Sequence, residues 1–178
     1  MTNQRKVANI LGLGVTLDTY TGGFSIGVND IYRYVSTDII VCIDHKQAFK
    51  PDRLAVIENS TPSKFISHIP EWSTMANFEL IQLTGRKPTA FELMEGEKYY
   101  AHNNSTYVAV QVAARMGFQD IVLHGVDFKG HKHLDTPDTI PHILERFKQL
   151  KDVYNTFDIG LHVSSNDSRL IEVLPLWV

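Results

Sequence analysis

Two short segments of the sequence, Ile39–Ile43 and Ile121–Leu123, are apolar at every position. A strand with one face in water would alternate apolar and polar residues, and neither segment does so. Strands that are apolar on both faces are typical of parallel sheets that are covered by helices on both sides. Because helical patterns alternate with such strands along the chain, the sequence predicts an α/β fold. The expected form is a Rossmann-like three-layer sandwich with a mostly parallel central sheet.

The remaining elements are predicted from apolar periodicity, which is two residues in strands and about 3.6 in helices. The strand at Ile121 continues to His124, and we expect further strands at Val7–Leu11, Ser25–Val28, Leu54–Glu58, Lys64–Ser67, Leu80–Leu83 and Leu161–Val163. We expect helices at Asp30–Tyr34, Ser105–Met116, Pro141–Tyr154 and Asp167–Val173. The length suits a single domain spanning residues 1–178, of which residues 59–102 are the least regular part.

Composition limits the partners and the compartment. The sequence is 43% hydrophobic, which suits a sizeable core, and its formal net charge of −3 gives no overall attraction to nucleic acid. Basic groups at residues 86–87, 129–132 and 146–151 could line a groove for DNA phosphates or be ordinary surface charge. The one cysteine, Cys42, cannot form an internal disulfide, and no apolar run is long enough to span a bilayer. We expect a cytoplasmic protein with no membrane partner.

Polar or glycine residues follow four of the predicted strands at the point where each strand ends. They are Gly12 and Gly14 after the first strand, Asn29 and Asp30 after the second, Asp44 and His45 after the third, and Gly125 and Asp127 after the strand at Ile121. Turn chemistry would explain any one of these groups alone. The carboxyl ends of parallel strands meet at one edge of a sheet, where ligands bind, and glycines let backbone N–H groups approach a phosphate. The sequence therefore predicts a ligand-binding crevice at this edge.

The start of the predicted helix at Ser105 offers a second wall for that crevice. Asn104, Ser105 and Thr106 are all residue types that cap helix N-termini. The N–H groups of a helix N-terminus suit a phosphate or a carboxylate. We therefore expect Ser105 and Thr106 to cap the helix and its N–H groups to face a ligand anion.

Taken in order, these motifs resemble those of a known enzyme family. The order is a strand with Gly-x-Gly-x-Thr, a strand with GVND, a strand ending in Asp, NNST before a helix, GFQDIVLHGVDF, a helix led by histidine, and a late SSNDS. It is similar to the bacterial lipooligosaccharide sialyltransferases of glycosyltransferase family 42. It also resembles the Rossmann-like superfamily around them, which includes a 6-hydroxymethylpterin pyrophosphokinase. The resemblance covers most of the chain and implies a GT-A-like variant of the fold with a nucleotide-sugar pocket.

The resemblance implies a role for each matching residue. The Gly-x-Asp-Phe motif would lie at the nucleotide ribose and base, and the hydroxyl-rich helix start and the late SSNDS would complete the donor site. The implied donor-binding residues are Gly12, Gly14, Thr16, Asn29, Asp30, Asn104, Ser105, Thr106, Gly125, Asp127, Phe128, Asn166 and Ser168. The family's histidine general base falls on His142, and an imidazole titrates near neutral pH, as such a base requires. Asp44 is the other candidate for a catalytic base.

Residues 129–139 depart from the family's pattern. The sialyltransferases have a pair of tyrosines there that holds the nucleotide phosphate, and this segment contains no tyrosine. Lys129, His131, Lys132 and His133 are candidates to neutralise the phosphate charge instead. A metal site would require Asp127, His131, His133 and Asp135 to converge, and their spacing matches no recognised metal motif.

The predicted function is therefore transfer of a sugar from a UDP-, CMP- or CDP-linked donor to an acceptor hydroxyl, without a metal ion. The acceptor could be a glycan, a small molecule or a 5-hydroxymethylpyrimidine in DNA, as for viral DNA glycosyltransferases, and residues 59–102 could form a lid or an acceptor-side insertion. Two other classes stay open: a pterin-type pyrophosphokinase using ATP and Mg²⁺, and a nucleotide-binding protein without catalysis. The oligomeric state is not predicted.

Overall fold

The computed structural model describes residues 4–85, 87–101, 104–130 and 134–178. Nine strands lie in chain order at Val7–Leu11 (β1), Ser25–Val28 (β2), Ile39–Val41 (β3), Lys64–Ser67 (β4), Phe78–Leu80 (β5), Gln82–Thr84 (β6), Lys98–Tyr100 (β7), Asp120–His124 (β8) and Gly160–Val163 (β9). Seven of them form one sheet in the order β5-β4-β3-β2-β1-β8-β9, and every neighbouring pair is parallel. The predicted α/β Rossmann-like fold is confirmed.

Both faces of the sheet are apolar, as the sequence predicted. Along β3, the side chains of Ile39 and Val41 belong to one hydrophobic core and that of Ile40 belongs to the other. Alternate residues of a strand point to opposite faces, so each face needs its own cover. The described residues contain four α-helices, at Pro51–Glu58 (α1), Ala90–Glu95 (α2), Ser105–Arg115 (α3) and Ile140–Asn155 (α4). In the part of the chain that the structure describes, no helix is long and apolar enough to cross a membrane.

The central helix α3 is buried from Ser105 to Ala114. Its run of Val and Ala side chains packs on β1, β2 and β3 from one side, while α2 packs on it from the other. The helix α4 is amphipathic instead: Phe147, Leu150 and Tyr154 recur at intervals of three and four residues and are buried, whereas most of its other residues reach solvent. Burial of α3 fixes its N-terminus at the carboxyl edge of the sheet.

Several predicted boundaries were wrong. The segment Leu54–Glu58, predicted as a strand, is the second half of α1, because Pro51 at the first helical position and Asp52 in the first turn start a helix there. The helices predicted at 30–34 and 167–173 are short 3-10 turns at Ile31–Arg33 and Arg169–Glu172. The predicted strand at Leu80–Leu83 is two strands, β5 and β6, which belong to different sheets.

Residues 59–102 are more regular than the sequence indicated. They contribute β4 and β5 to the main sheet, and β6 and β7 form a separate two-stranded parallel sheet beside α2. The fully buried Trp72 packs against Phe49 and Phe65 in the core on the α1 side. A role for this stretch as a lid or an acceptor-side insertion stays a prediction.

The strand order reverses between β1 and β8. From β1 the chain builds outward through β2, β3, β4 and β5, and it then returns to place β8 and β9 on the other side of β1. Such a reversal leaves a crevice at the carboxyl ends of the two strands, because their connections leave in opposite directions. The turn after β1 (residues Gly12–Thr16, the β1 turn) and the loop after β8 (residues Gly125–Gly130, the β8 loop) meet at this point.

Replacement of Gly12 by alanine tests this contact between loops. A Cβ at Gly12 would lie 2.4 Å from the carbonyl oxygen of Gly125, which is backbone and cannot move away alone. We expect Gly12→Ala to lower the free energy of unfolding by about 2 kcal/mol in urea denaturation. Gly85→Ala is the control, because a Cβ there would meet no atom within 4 Å. Equal stability of the two variants would contradict the close approach.

The imidazole of His124 is buried at the end of β8. Its Nε2 lies 3.0 Å from Oδ1 of Asn9, whose Nδ2 donates to the carbonyl of Phe24, so we assign the ring proton to Nε2. Its Nδ1 faces the hydroxyl of Thr19 at 2.9 Å. Burial lowers the pKa of His124 from 6.5 to about 4, because the charged form would lose its hydration.

This histidine makes stability depend on pH in a defined window. The unfolded chain binds the proton near pH 6.5 and the folded chain only near pH 4, so acidification between these values favours unfolding. We expect up to about 3 kcal/mol of stability to be lost across this window. Denaturation curves at several pH values should show a flatter profile for His124→Gln. If the stability of His124→Gln depends on pH as steeply as that of the unsubstituted chain, other groups cause the loss of stability.

Candidate active site

A cavity of about 520 Å³ lies between the β1 turn and the β8 loop. We call this cavity the crevice. Its walls come from the β1 turn, the end of β2, the start of α3 and the β8 loop. Seven of the residues predicted to bind the donor line it: Gly12, Gly14, Asp30, Thr106, Gly125, Asp127 and Phe128. A cavity thus lies at the carboxyl edge of the sheet. That these residues bind a donor stays a prediction.

The glycines of the β1 turn serve the contact between the two loops. The N–H of Gly12 donates to the carbonyl of His124 at 2.8 Å, and the N–H of Gly14 donates to that of Gly125 at 2.7 Å. A Cβ on Gly14 would lie 2.2 Å from a carboxylate oxygen of Asp127. These two N–H groups are therefore engaged within the chain, and the glycines are required by the neighbouring loop.

Hydrogen bonds of Thr16 and Asp127 connect the β1 turn to the β8 loop. The buried carboxylate of Asp127 accepts hydrogen bonds from the backbone N–H of Thr16, at 3.0 Å, and from the Thr16 hydroxyl. The same hydroxyl accepts from the N–H of Gly125 at 3.0 Å. Each of these buried groups thereby has a partner, and the bridge holds the floor of the crevice in one geometry.

Some residues that line the crevice have backbone N–H groups without an acceptor in the described part of the chain. In residues 4–85, 87–101, 104–130 and 134–178, the N–H groups of Leu13, Val15 and Phe128 have no acceptor. Phe128 is a non-glycine residue with a φ of 55°, a left-handed conformation that turns the backbone of the β8 loop. Where such N–H groups converge, they form anion-binding concavities.

The N-terminus of α3 is capped by Asn104. Its Oδ1 accepts from the N–H groups of Thr106, at 2.9 Å, and Tyr107, at 3.2 Å. The prediction that Ser105 and Thr106 are the caps was wrong, because both lie inside the first helical turn. Since Asn104 occupies two of the helix's free donors, the N–H groups there are less available to an anion than predicted.

Ser105 and Asn29 connect α3 to the end of β2. The Ser105 hydroxyl donates to Oδ1 of Asn29 at 3.2 Å. Asn29 has a φ of 53°, which an asparagine tolerates better than most residues. The structure thus brings together two of the predicted site residues, one from α3 and one from the turn after β2.

The sequence analysis did not identify two arginines that line the crevice. Arg53, on α1, donates to both carboxylate oxygens of the buried Asp30, and Arg33 lies 4.0 Å from the same carboxylate. Arg33 also bonds Asp52 at 2.7 Å. Arg53 was overlooked because its segment was predicted as loop and strand. A helix starting at Pro51 would have placed Arg53 in a first turn at the carboxyl edge.

The carboxyl of Asp44 lies beside Arg53 at the end of β3. Partial loss of hydration raises the pKa of this carboxyl above its ordinary value, and the positive charge of Arg53 and the hydrogen bond from Asn29 oppose the rise. Loss of hydration likewise lowers the pKa of the neighbouring His68, whose Nδ1 is buried without a partner in the described part of the chain. The end of β3 therefore has the carboxyl of Asp44, the imidazole of His68 and the amide of Asn29 in its surroundings.

His142 lies in a second, smaller cavity next to the crevice. It is exposed in the first turn of α4, and this cavity of about 230 Å³ also borders Asn104 and Arg146. Leu134 lines both cavities, so His142 faces a space that adjoins the crevice. The histidine thereby lies on the α3 side of the sheet edge.

The late SSNDS segment, residues 164–168, contacts the β8 loop. The Ser168 hydroxyl donates to the carbonyl of Val126 at 2.9 Å and accepts from the N–H of Leu170. Ser168 is buried, and Asn166 is exposed in the turn before it. Ser168 therefore holds the β8 loop from its outer side.

The four residues weighed as possible metal ligands, Asp127, His131, His133 and Asp135, lie only partly within the described residues. Among residues 4–85, 87–101, 104–130 and 134–178, no three His, Cys, Asp or Glu side chains converge to hold a metal ion. Asp135 instead accepts from the N–H of Gly130 at 2.7 Å and pairs with Arg169. His131, Lys132 and His133 lie outside the described residues.

The sequence itself matches no protein-family model and no curated protein. The fold does match solved structures. The chain shares its fold with the sialyltransferase CstII. The CstII structure from Campylobacter jejuni in complex with cytidine-5'-monophosphate superposes with a TM-score of 0.58 at 12% identity, over 96% of this chain and 84% of that chain. The complex with CMP-3FNeuAc gives 0.58 at 13% identity, over 96% and 85%. Monomeric CstII gives 0.56 at 13% identity, over 96% and 86%.

Replacement of Thr16 by valine tests the bridge under the crevice. The variant keeps the branched shape but leaves the carboxylate of Asp127 with one donor fewer and the N–H of Gly125 without its acceptor. We expect the free energy of unfolding in urea at pH 7 to fall by about 2 kcal/mol. Thr16→Ser should retain most of the stability, because it keeps the hydroxyl. Equal losses in the two variants would assign the effect to packing of the lost methyl group.

Proposed function

We propose that this chain is a glycosyltransferase that binds a nucleotide-sugar donor across the crevice. The observation that carries the proposal is the cavity between the β1 turn and the β8 loop, at the reversal of strand order where α/β proteins bind ligands. The shared fold supports it, since CstII structures hold CMP and CMP-3FNeuAc. The donor would be a UDP-, CMP- or CDP-linked sugar.

The charged groups around the crevice suit a phosphate. Arg33, Arg53 and Lys129 line it together with the carboxylates of Asp30 and Asp127, and Arg53 and Arg33 pair with Asp30 and Asp52. The N–H groups of Leu13, Val15 and Phe128, which have no acceptor in the described residues, can donate to phosphate oxygens. These cations can stabilise the negative charge that develops on the leaving nucleotide, which is the task that a metal ion performs in other transferases. We therefore infer a metal-independent transfer. The base and ribose would lie along the β8 loop, next to Asp127 and Phe128.

His142 is the proposed general base. The acceptor hydroxyl would lie in the cavity that adjoins the crevice at Leu134 and would transfer its proton to the imidazole of His142. As the new bond from the acceptor oxygen to the anomeric carbon forms, the bond from that carbon to the phosphate oxygen breaks, and its electron pair stays on the nucleotide. Asp44 is the second candidate for the base.

A binding and turnover panel tests the class of reaction. Calorimetry with CMP, CDP, UDP and ATP should show that a pyrimidine nucleotide binds more tightly than ATP. Slow release of free nucleotide from the matching nucleotide sugar would support transfer. Conversion of ATP to AMP with a pterin acceptor would instead indicate the pyrophosphokinase class. Tight nucleotide binding with no turnover of any donor would indicate a nucleotide-binding protein without catalysis.

Replacement of His142 by asparagine tests the base. His142→Asn should preserve folding and donor affinity, because the side chain is exposed and lies in the adjoining cavity. We expect kcat to fall by roughly 10²–10⁴-fold, the usual contribution of a positioned acid or base. Asp44→Asn, assayed in parallel, distinguishes the two candidates by the pH profile of kcat. Full activity of His142→Asn would exclude this histidine and leave Asp44.

A further inference from the structure

The smaller cavity next to the crevice, which we call the Arg146 cavity, combines an arginine with an aromatic wall. It measures about 230 Å³, and His142 and Arg146 both line it from the first two turns of α4. Tyr107 and Phe147 form the aromatic wall, with their rings edge to face and 5.4 Å between the centroids. In the part of the chain that the structure describes, no Asp or Glu side chain lines this cavity. Arg146 therefore gives the cavity a permanent positive charge.

Arg146 differs from the other described arginines in its hydrogen-bond partners. Carboxylates accept from Arg5, Arg33, Arg53 and Arg169, and three backbone carbonyls accept from Arg115. Within residues 4–85, 87–101, 104–130 and 134–178, the guanidinium of Arg146 bonds only the hydroxyl of Tyr100, with 2.7 Å between Nη1 and the hydroxyl oxygen. A guanidinium has five N–H groups, so most of those of Arg146 have no acceptor in these residues.

Among the described residues, no acidic side chain forms an ion pair with Arg146. Glu145 precedes it on α4 and lines a neighbouring cavity of about 200 Å³ together with it. The carboxylate of Glu145 is exposed and instead accepts from Nε2 of Gln149 at 2.8 Å. Arg146 is half-buried, and loss of hydration lowers the pKa of its guanidinium. The cavity thus contains a partly dehydrated cation that a negative group would neutralise.

We propose that the Arg146 cavity binds the carboxylate or phosphate group of a substrate. The planar guanidinium presents parallel N–H groups that match two oxygens of such an anion, and charge-assisted hydrogen bonds are stronger than neutral ones. The bond to Tyr100 holds one side of the guanidinium in place. Tyr107 and Phe147 offer apolar contact to the body of the ligand.

The inference rests on the proposed function where it assigns this substrate: the anion belongs to the acceptor. His142, the proposed base, and Arg146 lie at positions i and i+4 of α4, which share one face of a helix. Both line the same cavity, so an acceptor held by its acid group at Arg146 has its hydroxyls in the space that His142 borders. DNA would require a row of cations, and Glu145 and Asp152 interrupt the basic residues of α4. The acceptor is thus an acidic sugar or an acidic small molecule.

An NMR titration of the intact ¹⁵N-labelled chain without nucleotide tests the site. The probes are benzoate, phenyl phosphate and benzamide, because benzamide keeps the shape of benzoate and removes its charge. We expect the better of the two anions to bind at least about tenfold more tightly than benzamide. It should also shift the amide signals of Ile143 and Phe147, which line the cavity. Tighter binding of benzoate indicates a carboxylate substrate, and tighter binding of phenyl phosphate indicates a phosphate.

Arg146→Gln should reduce this preference to less than about threefold, because it removes the charge and keeps an amide donor. Arg146→Lys keeps the charge without the planar fork and should retain part of the preference. Lys148→Gln is the control, because Lys148 is exposed on the same helix and does not line the cavity. It should leave the preference unchanged. Urea denaturation of each variant checks that it is folded.

Binding of benzamide as tight as that of both anions by the unsubstituted chain would overturn the proposal. A preference that Arg146→Gln does not change would also overturn it, since the charge would then act from another residue. An equal loss in Lys148→Gln would do the same, because it would assign the preference to the general charge of α4.

A second titration with saturating nucleotide distinguishes this inference from the proposed function. With the nucleotide that binds best, the dissociation constant of the anion should change by less than about threefold, as expected for separate sites. Direct competition would assign Arg146 to the phosphate of the donor and overturn the assignment to the acceptor. Anion binding by a chain that binds no nucleotide would support the anion site and contradict the glycosyltransferase function together with the acceptor assignment.

Discussion

The contact between the β1 turn and the β8 loop is the constraint on which the rest of the structure depends. Two backbone hydrogen bonds and the bridge from Thr16 to Asp127 hold these loops together at the reversal of strand order. The contact is so close that a side chain at Gly12 or Gly14 would overlap the opposite loop. It sets the floor of the crevice and orients the remaining N–H groups, so the geometry of the candidate site is a direct result of how these two strands pair.

The fold was largely predictable because apolar strands with polar ends indicate a parallel sheet. Segments such as Ile39–Ile43 could only be buried on both faces, and the sheet has two cores. Short elements were less predictable, since a few residues cannot show a period. The apolar residues Leu54 and Ile57 are compatible with a strand or with a helix. Only Pro51 distinguishes the two, because proline is common at the first position of a helix.

The candidate site was predictable in its position and less so in its contacts. The sequence indicated that Gly12, Thr16 and Asp127 lie at one edge, but not that they bond one another. That information depends on three-dimensional pairing between residues more than 100 positions apart in the chain. The arginines were missed for the same reason: α1 packs against the 3-10 turn at Ile31–Arg33, which brings Arg53 into hydrogen-bond contact with Asp30. Charges on helices that flank a sheet edge are therefore worth examining with the strand ends.

An NMR titration of the ¹⁵N-labelled chain with CMP and with UDP tests the central claim most directly. Binding in the crevice predicts that the amide signals of Leu13, Val15 and Phe128 shift together with one dissociation constant, because these residues line it and their N–H groups have no acceptor in the described part of the chain. Amides at the opposite edge of the sheet, such as those of Lys64 and Asp120, should not move. Shifts confined to that opposite edge, or no shifts at millimolar nucleotide, would contradict the account.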